Sequence, residues 1–252
     1  MNEAAAAHDP ITRSHLMKAS VLTGAAGAVT ALAVVLSGCG SDTKTVTSSS
    51  STASSSSSSA SSTSVKPKVP ETTSAPVAGP NPTIADYIKQ NGIQETGVKM
   101  GDPNAPAVNL PIPDGWKPLT PEEAPDYAYG AVVYTGPEFQ NDPPNIVALM
   151  SKLSGNVDPQ KIIDLAPGEL NNLPDYKPGN EGETSSLGDY PAYVLGGTYT
   201  RDGATRIIAQ KTVVIPAADG LYVLQLNVDG PQAAGDVLGA ATDKIDTDTT
   251  IG

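Results

Sequence analysis

Histidine and cysteine are scarce in this 252-residue chain, which has two of the first and one of the second. Both histidines, His8 and His15, lie upstream of Cys39. If the chain is cut just before Cys39, as argued below, the mature protein has no histidine and no second thiol. That excludes general acid–base chemistry on imidazole, Ser-His-Asp and Cys-His nucleophiles, and zinc sites built from His and Cys. It also excludes an internal disulfide, so stability must come from the core alone. Basic residues are few as well: 15 Lys and Arg stand against 27 Asp and Glu, a formal net charge of −12. Removing the first 38 residues leaves this balance unchanged, because Glu3 and Asp9 offset Arg13 and Lys18. So acidic a surface argues against nucleic-acid binding, which needs clustered cations, and against docking on anionic lipid head groups. Aromatic residues are limited to one Trp, one Phe and nine Tyr, a balance that favours an amphipathic interior or groove. Nor is there an undiluted apolar run. Residues 19–36 are interrupted by Ser, Thr and Gly, poor material for a spanning helix and good material for the apolar part of a signal peptide.

That run ends at Leu36-Ser37-Gly38-Cys39. Small residues in extended conformation before a cysteine are what a lipoprotein signal peptidase accepts. The sulfur then carries diacylglycerol, and cleavage makes Cys39 the mature N-terminus. On this reading residues 1–38 are the signal, with Leu36, Ser37 and Gly38 as its recognition motif. The plain alternative is a signal-anchor helix with an incidental cysteine. Residues 1–16 carry two acids and little positive charge, whereas Met17-Lys18 is a more typical signal start, so Met17 is a candidate initiator. Residues 39–80 read as a tether. Residues 47–64 are almost entirely Ser and Thr, broken by Ala53 and Ala60, and residues 66–80 are proline-rich. Such a composition buries too little apolar surface to offset its ordering entropy. About 40 flexible residues reach roughly 30–40 Å, enough to hold a domain off a membrane. The stalk is either a passive spacer or an O-glycosylation substrate.

Residues 81–252, about 170 in number, suffice for one domain with a substantial core. Thr83 reads as a helix N-cap, with Asp86 in the first turn, Gly92 as the stop, and Ile84, Tyr87 and Ile88 as the buried stripe. Val108, Leu110 and Ile112 alternate along a strand running into a turn at Pro113-Asp114-Gly115-Trp116. Residues 127–134 predict a second strand. Residues 146–153 predict a third, apolar on both faces and therefore central. Asp158-Pro159 opens a helix whose stripe is Ile162, Ile163, Ala166, Leu170 and Leu173, followed by a polar, loop-like exit over 172–188. Strands over 192–200 and 205–215 flank Asp202-Gly203, the pattern of a two-residue type I′ hairpin. A further strand over 221–228 and a helix over 231–246 complete the domain, and no internal repeat is present. Antiparallel strands joined by short turns, with helices at both ends and in the middle, give an α+β fold: an antiparallel sheet flanked by helices.

Several runs carry a resemblance. They are Pro80-Asn81-Pro82-Thr83-Ile84-Ala85-Asp86-Tyr87-Ile88, Leu110-Pro111-Ile112-Pro113-Asp114-Gly115-Trp116 and Asn141-Asp142-Pro143-Pro144. Ala166-Pro167-Gly168-Glu169-Leu170, Asn172-Leu173-Pro174 and Ala209-Gln210-Lys211-Thr212-Val213-Val214-Ile215-Pro216 follow in the same order. Together they resemble the LpqN/LpqT-type lipoproteins of mycobacteria over essentially all of the folded part. The resemblance implies a Mog1/PsbP-like αβα sandwich. It also implies an envelope protein anchored on the extracytoplasmic face of the cell membrane, or shed from it. Such a protein would assist export of trehalose mycolate glycolipids beside transporters and mycolyltransferases. The family contributes no catalytic motif, so no enzyme activity and no cofactor are implied.

The Asp202-Gly203 turn sets the hairpin register. Tyr199 should oppose Arg206, Leu195 should oppose Gln210, and Tyr193 should oppose Thr212. Their face is aromatic and hydrogen-bonding, while the other, with Val194, Gly196, Thr198, Ile207, Ala209 and Lys211, is mostly small. Tyrosine rings can stack on a sugar while Arg and Gln bind its hydroxyls, which makes Tyr193, Leu195, Tyr199, Arg206 and Gln210 candidate ligand-binding residues. The plain alternative is a sheet face with ordinary cross-strand pairs. Trp116 is a candidate for a pocket mouth, or else a core residue. Glu122, Glu123, Glu138 and Asp142 read as surface charge, since no spaced loop of the EF-hand kind holds them. Two functions follow. One is a non-enzymatic carrier for a lipid or glycolipid, with a largely apolar cavity. The other is a protein adaptor with a filled core that holds an envelope transporter, a mycolyltransferase or a host partner.

Overall fold

The structure, a computed structural model, describes residues 79–252. The motif Leu36, Ser37, Gly38 and Cys39 and nearly all of the tether lie outside the described residues.

The domain opens with helix α1 (Ile84–Gln90), closed at its start by a reciprocal capping box between Thr83 and Asp86. Strand β1 (Gln94–Gly97) follows, then β2 (Val108–Asn109), β3 (Trp116–Pro118), β4 (Gly130–Tyr134) and β5 (Asn145–Ser154). Next come α2 (Pro159–Leu165), α3 (Gly168–Asn171), β6 (Lys177–Pro178), β7 (Glu183–Leu187) and β8 (Tyr190–Arg201). The chain continues through β9 (Ala204–Ala217), β10 (Gly220–Pro231), α4 (Gly235–Asp248) and β11 (Thr250–Ile251). Nine strands form one antiparallel sheet in the order β3-β4-β5-β10-β9-β8-β6, with β1 added on β5 and β7 on β8. The fold is α+β, with helices on both faces of the sheet.

Alternation along the strands assigns the faces. Ile146, Ala148 and Met150 of β5 and Leu224, Leu226 and Val228 of β10 pack with Leu238, Ala241 and Ile245 of α4. On the reverse, Leu153, Val214, Leu221 and Val223 pack with Ile84, Ile162 and Ile163 of α1 and α2. Both faces of β5, β9 and β10 are therefore covered, which is why β5 is apolar on both sides and lies inside the sheet. Buried Lys211 pairs with Asp246 at 2.7 Å, an ion pair that ties α4 to its face.

The hairpin register is the expected one: Tyr199 opposes Arg206, Leu195 opposes Gln210 and Tyr193 opposes Thr212. Asp202 (φ 53°) and Gly203 (φ 76°) both take positive φ, as a type I′ turn requires. Three segments depart from expectation. The strand over 108–112 shrinks to β2, which pairs with β11 in a separate small sheet, because Pro111 and Pro113 cannot donate to a ladder. Ile112 is left 49% exposed, and the edge strand of the main sheet is instead β3, closed by Pro118. The helix expected from Asp158 to Leu173 breaks into α2 and α3 at Pro167, which has no N–H to continue it. The exit expected to be loop carries β6 and β7, both paired to β8, so polar composition here marks an edge and not an absence of strand.

Gly168 starts α3 in close contact with the chain that leads into α1: a Cβ there would lie 2.1 Å from the Pro82 carbonyl oxygen. Gly168→Ala is expected to separate α3 from α1 and to cost about 1–3 kcal/mol in urea unfolding. A neutral result would mean that this contact is not tight in solution.

Candidate functional site

The α1 face of the sheet changes character along its length. Strand β10 presents Leu221, Val223, Gln225, Asn227 and Asp229 on that face, with Leu153, Ser151, Leu149, Val147 and Asn145 opposite them on β5. One end is apolar and lies under α1 and α2. The other is polar, and its groups are matched mainly to one another.

At the polar end, the wholly buried Asp229 carboxylate accepts from Tyr199 Oη at 2.5 Å and from Arg206 Nε at 2.9 Å. Arg206 Nη2 also binds Asp229, and Arg201 lies 3.2 Å from it. Arg206 Nη1 donates to Asp142 at 2.6 Å. Burial, followed by the bond to Asp229, pushes the Tyr199 hydroxyl well above its usual range. The bonds to Asp229 and Asp142 raise the Arg206 guanidinium against the opposing effect of burial. Leu195 and Tyr199 pack with Leu170 of α3 and with Ile208. Tyr193 is half-buried and donates to the Glu181 carbonyl at 3.2 Å. Gln210 Nε2 donates to Asn227 Oδ1 at 2.9 Å and to Glu169 Oε2 at 3.0 Å. Trp116 is 8% exposed and sits edge-on against Tyr134 in the core beneath α4, on the opposite face from the other five. The six predicted residues therefore do not come together as an open sugar platform, because α3 and the segment after it cover the hairpin face.

An open groove of about 180 Å³ lies beside them, where the apolar and polar ends meet. Ile84, Ala85 and Ile88 of α1 form one wall, and Leu149, Leu153 and Val223 form the apolar floor. Ser151, Gln225, Glu95 and Glu169 supply its polar groups. Gln210 reaches it only through Glu169. Glu169 owes its position to the Pro167 break, which starts α3 just before it. Burial raises the pKa of the Glu169 carboxyl, and the Glu95 charge adds to this, while hydrogen bonds from Gln210 and Gln225 work against it. Sequence reasoning missed Glu169 and Gln225. The signal available was the alternation of Gln225, Asn227 and Asp229 along an otherwise apolar strand. A second cleft, of about 240 Å³, lies between the loop over 99–109 and Tyr129. Among the described residues no group of three or more His, Cys, Asp or Glu side chains is arranged to hold a metal ion. No helix among them is long and apolar enough to cross a membrane.

A family model described as "Probable lipoprotein LpqN" matches residues 80–252. The chain is 50% identical over 174 residues to Lipoprotein LpqN of Mycobacterium tuberculosis, an alignment covering 69% of this chain and 75% of that protein. It also resembles the crystal structure of LpqN, described as involved in cell envelope biogenesis of M. tuberculosis. That likeness has a TM-score of 0.66 at 49% identity and covers 69% of this chain and 99% of the crystallised one. A proline-rich 28 kDa antigen homolog of Mycobacterium leprae is 24% identical over 165 residues, covering 63% of this chain and 55% of that protein.

Asp229→Ala should cost about 3–5 kcal/mol in urea unfolding, because the buried Arg206 and the partly exposed Arg201 lose their common partner. A loss below about 1 kcal/mol would mean that water or Asp142 satisfies them. For Glu169 the sign is opposite to that of an ion-paired carboxylate. Its folded pKa is raised, so the native state takes up the proton first, and stability falls as pH rises through that raised value. Glu169→Gln keeps an acceptor for the two amides but does not titrate. It should melt above the parent protein at pH 7, with the gap closing as pH falls to about 4. A gap that does not change with pH would show that its cause is not the charge.

Proposed function

The chain belongs to the LpqN family of lipoproteins, and from that premise we propose that it is a non-enzymatic binding protein of the cell envelope, anchored through Cys39 on the extracytoplasmic face of the membrane. Its cargo is the head and neck of an amphipathic glycolipid, of the kind built on a trehalose mycolate, which it offers to envelope transporters or mycolyltransferases. The observation that carries this reading is the groove under α1, whose walls are apolar at one end and hydrogen-bonding at the other. That division matches a molecule with a hydroxylated head and the start of an acyl chain. The crystallised relative's description as involved in cell envelope biogenesis supports the same setting.

Size refines the proposal. At about 180 Å³ the groove is smaller than the roughly 300–1,000 Å³ of pockets that enclose a drug-sized ligand. It suits one sugar ring or a short chain segment, which leaves long tails with the membrane or with a partner. Cargo is then presented rather than swallowed. A second reading, a protein adaptor without small-molecule cargo, draws on Met100 and Ile112, large apolar side chains exposed by 62% and 49%.

The test is native mass spectrometry of residues 79–252 with octyl glucoside below its micelle concentration. These residues hold every described element and correspond to almost the whole of the crystallised relative. Retention of one glucoside is expected, and Ala85→Trp, which fills the groove from the α1 wall, should weaken it at least tenfold. No retention, or equal retention by Ala85→Trp, would sink the groove reading and make a protein pull-down the next experiment.

A further inference from the structure

The charge around the groove limits what can enter it, an inference that rests on the amphiphile reading above. Glu95 and Glu169 are the ionisable side chains among its lining residues, and no lysine or arginine lines it. The arginines of the same sheet face are held elsewhere, Arg201 on Asp229 and Arg206 on Asp229 and Asp142. Glu169 is half-buried, and the partners it is given are the neutral amides of Gln210 and Gln225, at 3.0 and 3.4 Å. Its negative charge therefore has a preorganised hydrogen-bonded seat but, among the described residues, no counter-ion.

An independent observation lies one strand further in. Gln210 Oε1 and Thr212 Oγ1 are buried without a hydrogen-bond partner in the protein. Thr212 stands directly across the ladder from Gln225, which lines the groove, and Gln210 holds Glu169. The carboxylates of Glu95 and Glu169 line the groove, and behind them lie the unmatched amide oxygen of Gln210 and the Thr212 hydroxyl, which can donate or accept. A hydroxylated head brings O–H donors that the carboxylates can accept. A phosphate diester or a sulfate brings only acceptors and a like charge, in a place where water screens poorly.

We infer that the groove selects its ligand by head-group charge, admitting uncharged hydroxyl-bearing amphiphiles and turning away anionic ones, with Glu169 as the specificity-determining residue. Its consequence in an envelope is that abundant anionic phospholipids do not compete with an uncharged glycolipid for the site. A like-charge contact in a partly buried site weakens binding by on the order of 100-fold.

Two probes of equal chain length, octyl glucoside and octyl sulfate, test this by calorimetry on residues 79–252 below their micelle concentrations. The glucoside should bind roughly 30- to 100-fold more tightly than the sulfate. Glu169→Gln should narrow that ratio about tenfold, and Glu95→Gln, at an exposed position, should narrow it less. Thermal melts establish that each variant is folded. If both amphiphiles bind equally, or the sulfate binds more tightly, the charge filter is wrong while the groove reading stands. If the ratio survives Glu169→Gln unchanged, Glu169 is not its source. If neither amphiphile binds, the groove reading itself fails, and this inference fails with it.

Discussion

A carboxylate with no exposure to solvent needs partners that replace its water, and Asp229 has three of them: Tyr199, Arg201 and Arg206. The ion cluster sits at the polar end of a sheet that is buried on both faces, so it has little alternative to internal pairing. Its geometry fixes the hairpin of β8 and β9 against β10 at the level of side chains, beyond what the backbone ladder supplies. Arg206 also reaches Asp142 in the loop before β5, which connects the hairpin to the far side of the central strands. The rest of the α1 face is arranged around this constraint, because polar groups collect at one end and apolar groups at the other.

Between those ends the sheet is not fully covered. Helices α1 and α2 protect the apolar end, α3 protects the hairpin, and the short turn at Pro167 leaves a gap between them. Glu169 occupies the margin of that gap, partly stripped of water and bonded to two amides. Keeping an ionised carboxylate in such a place costs stability. Unpartnered Gln210 Oε1 and Thr212 Oγ1 beside it add to that cost. A fold under selection for stability alone would place apolar side chains there, as it does at Val214 and Val223. A half-buried carboxylate lining the groove, with two unmatched atoms one strand behind it, is a physical ground for treating that groove as a candidate binding site.

Membership of the LpqN family and the geometry of the groove bear on different questions. The family sets the context of a lipoprotein, and the groove sets the chemistry of what such a protein can hold. On the proposed reading their meeting point is a ligand part apolar and part hydroxylated, engaged over a short length. Such contact suits a protein that passes a lipid between other components, since partial enclosure keeps the affinity moderate and leaves the tails free.

Several features were legible from local sequence, because the physics that sets them is local. Thr83 with Asp86 capped α1, Asp158-Pro159 opened α2, and Asp202-Gly203 fixed the turn and with it every cross-strand pair of the hairpin. The apolar run of β5 announced a strand covered on both sides, and Leu238, Ala241 and Ile245 announced the buried stripe of α4. Local pattern could place Tyr199, Arg206 and Gln210 on one face, but not say what would lie over them. That depended on α3 and on Asp229, some 30 residues from Tyr199 along the chain. The pairing of β2 with β11 was equally out of reach, since it exists only where a distant partner offers its free edge. Strand β7, by contrast, folds onto β8 through the two-residue turn Gly188-Asp189, a local signal that the polar composition masked. The groove is the extreme case. Its walls come from residues near 85, 150, 169 and 224, and only the packing of α1 and α3 on β5 and β10 brings them within reach of one ligand. Caps, turns and alternation act within a few residues, so the sequence by itself determined them. Which polar groups found partners, and which were left facing a groove, was decided only when the tertiary structure closed.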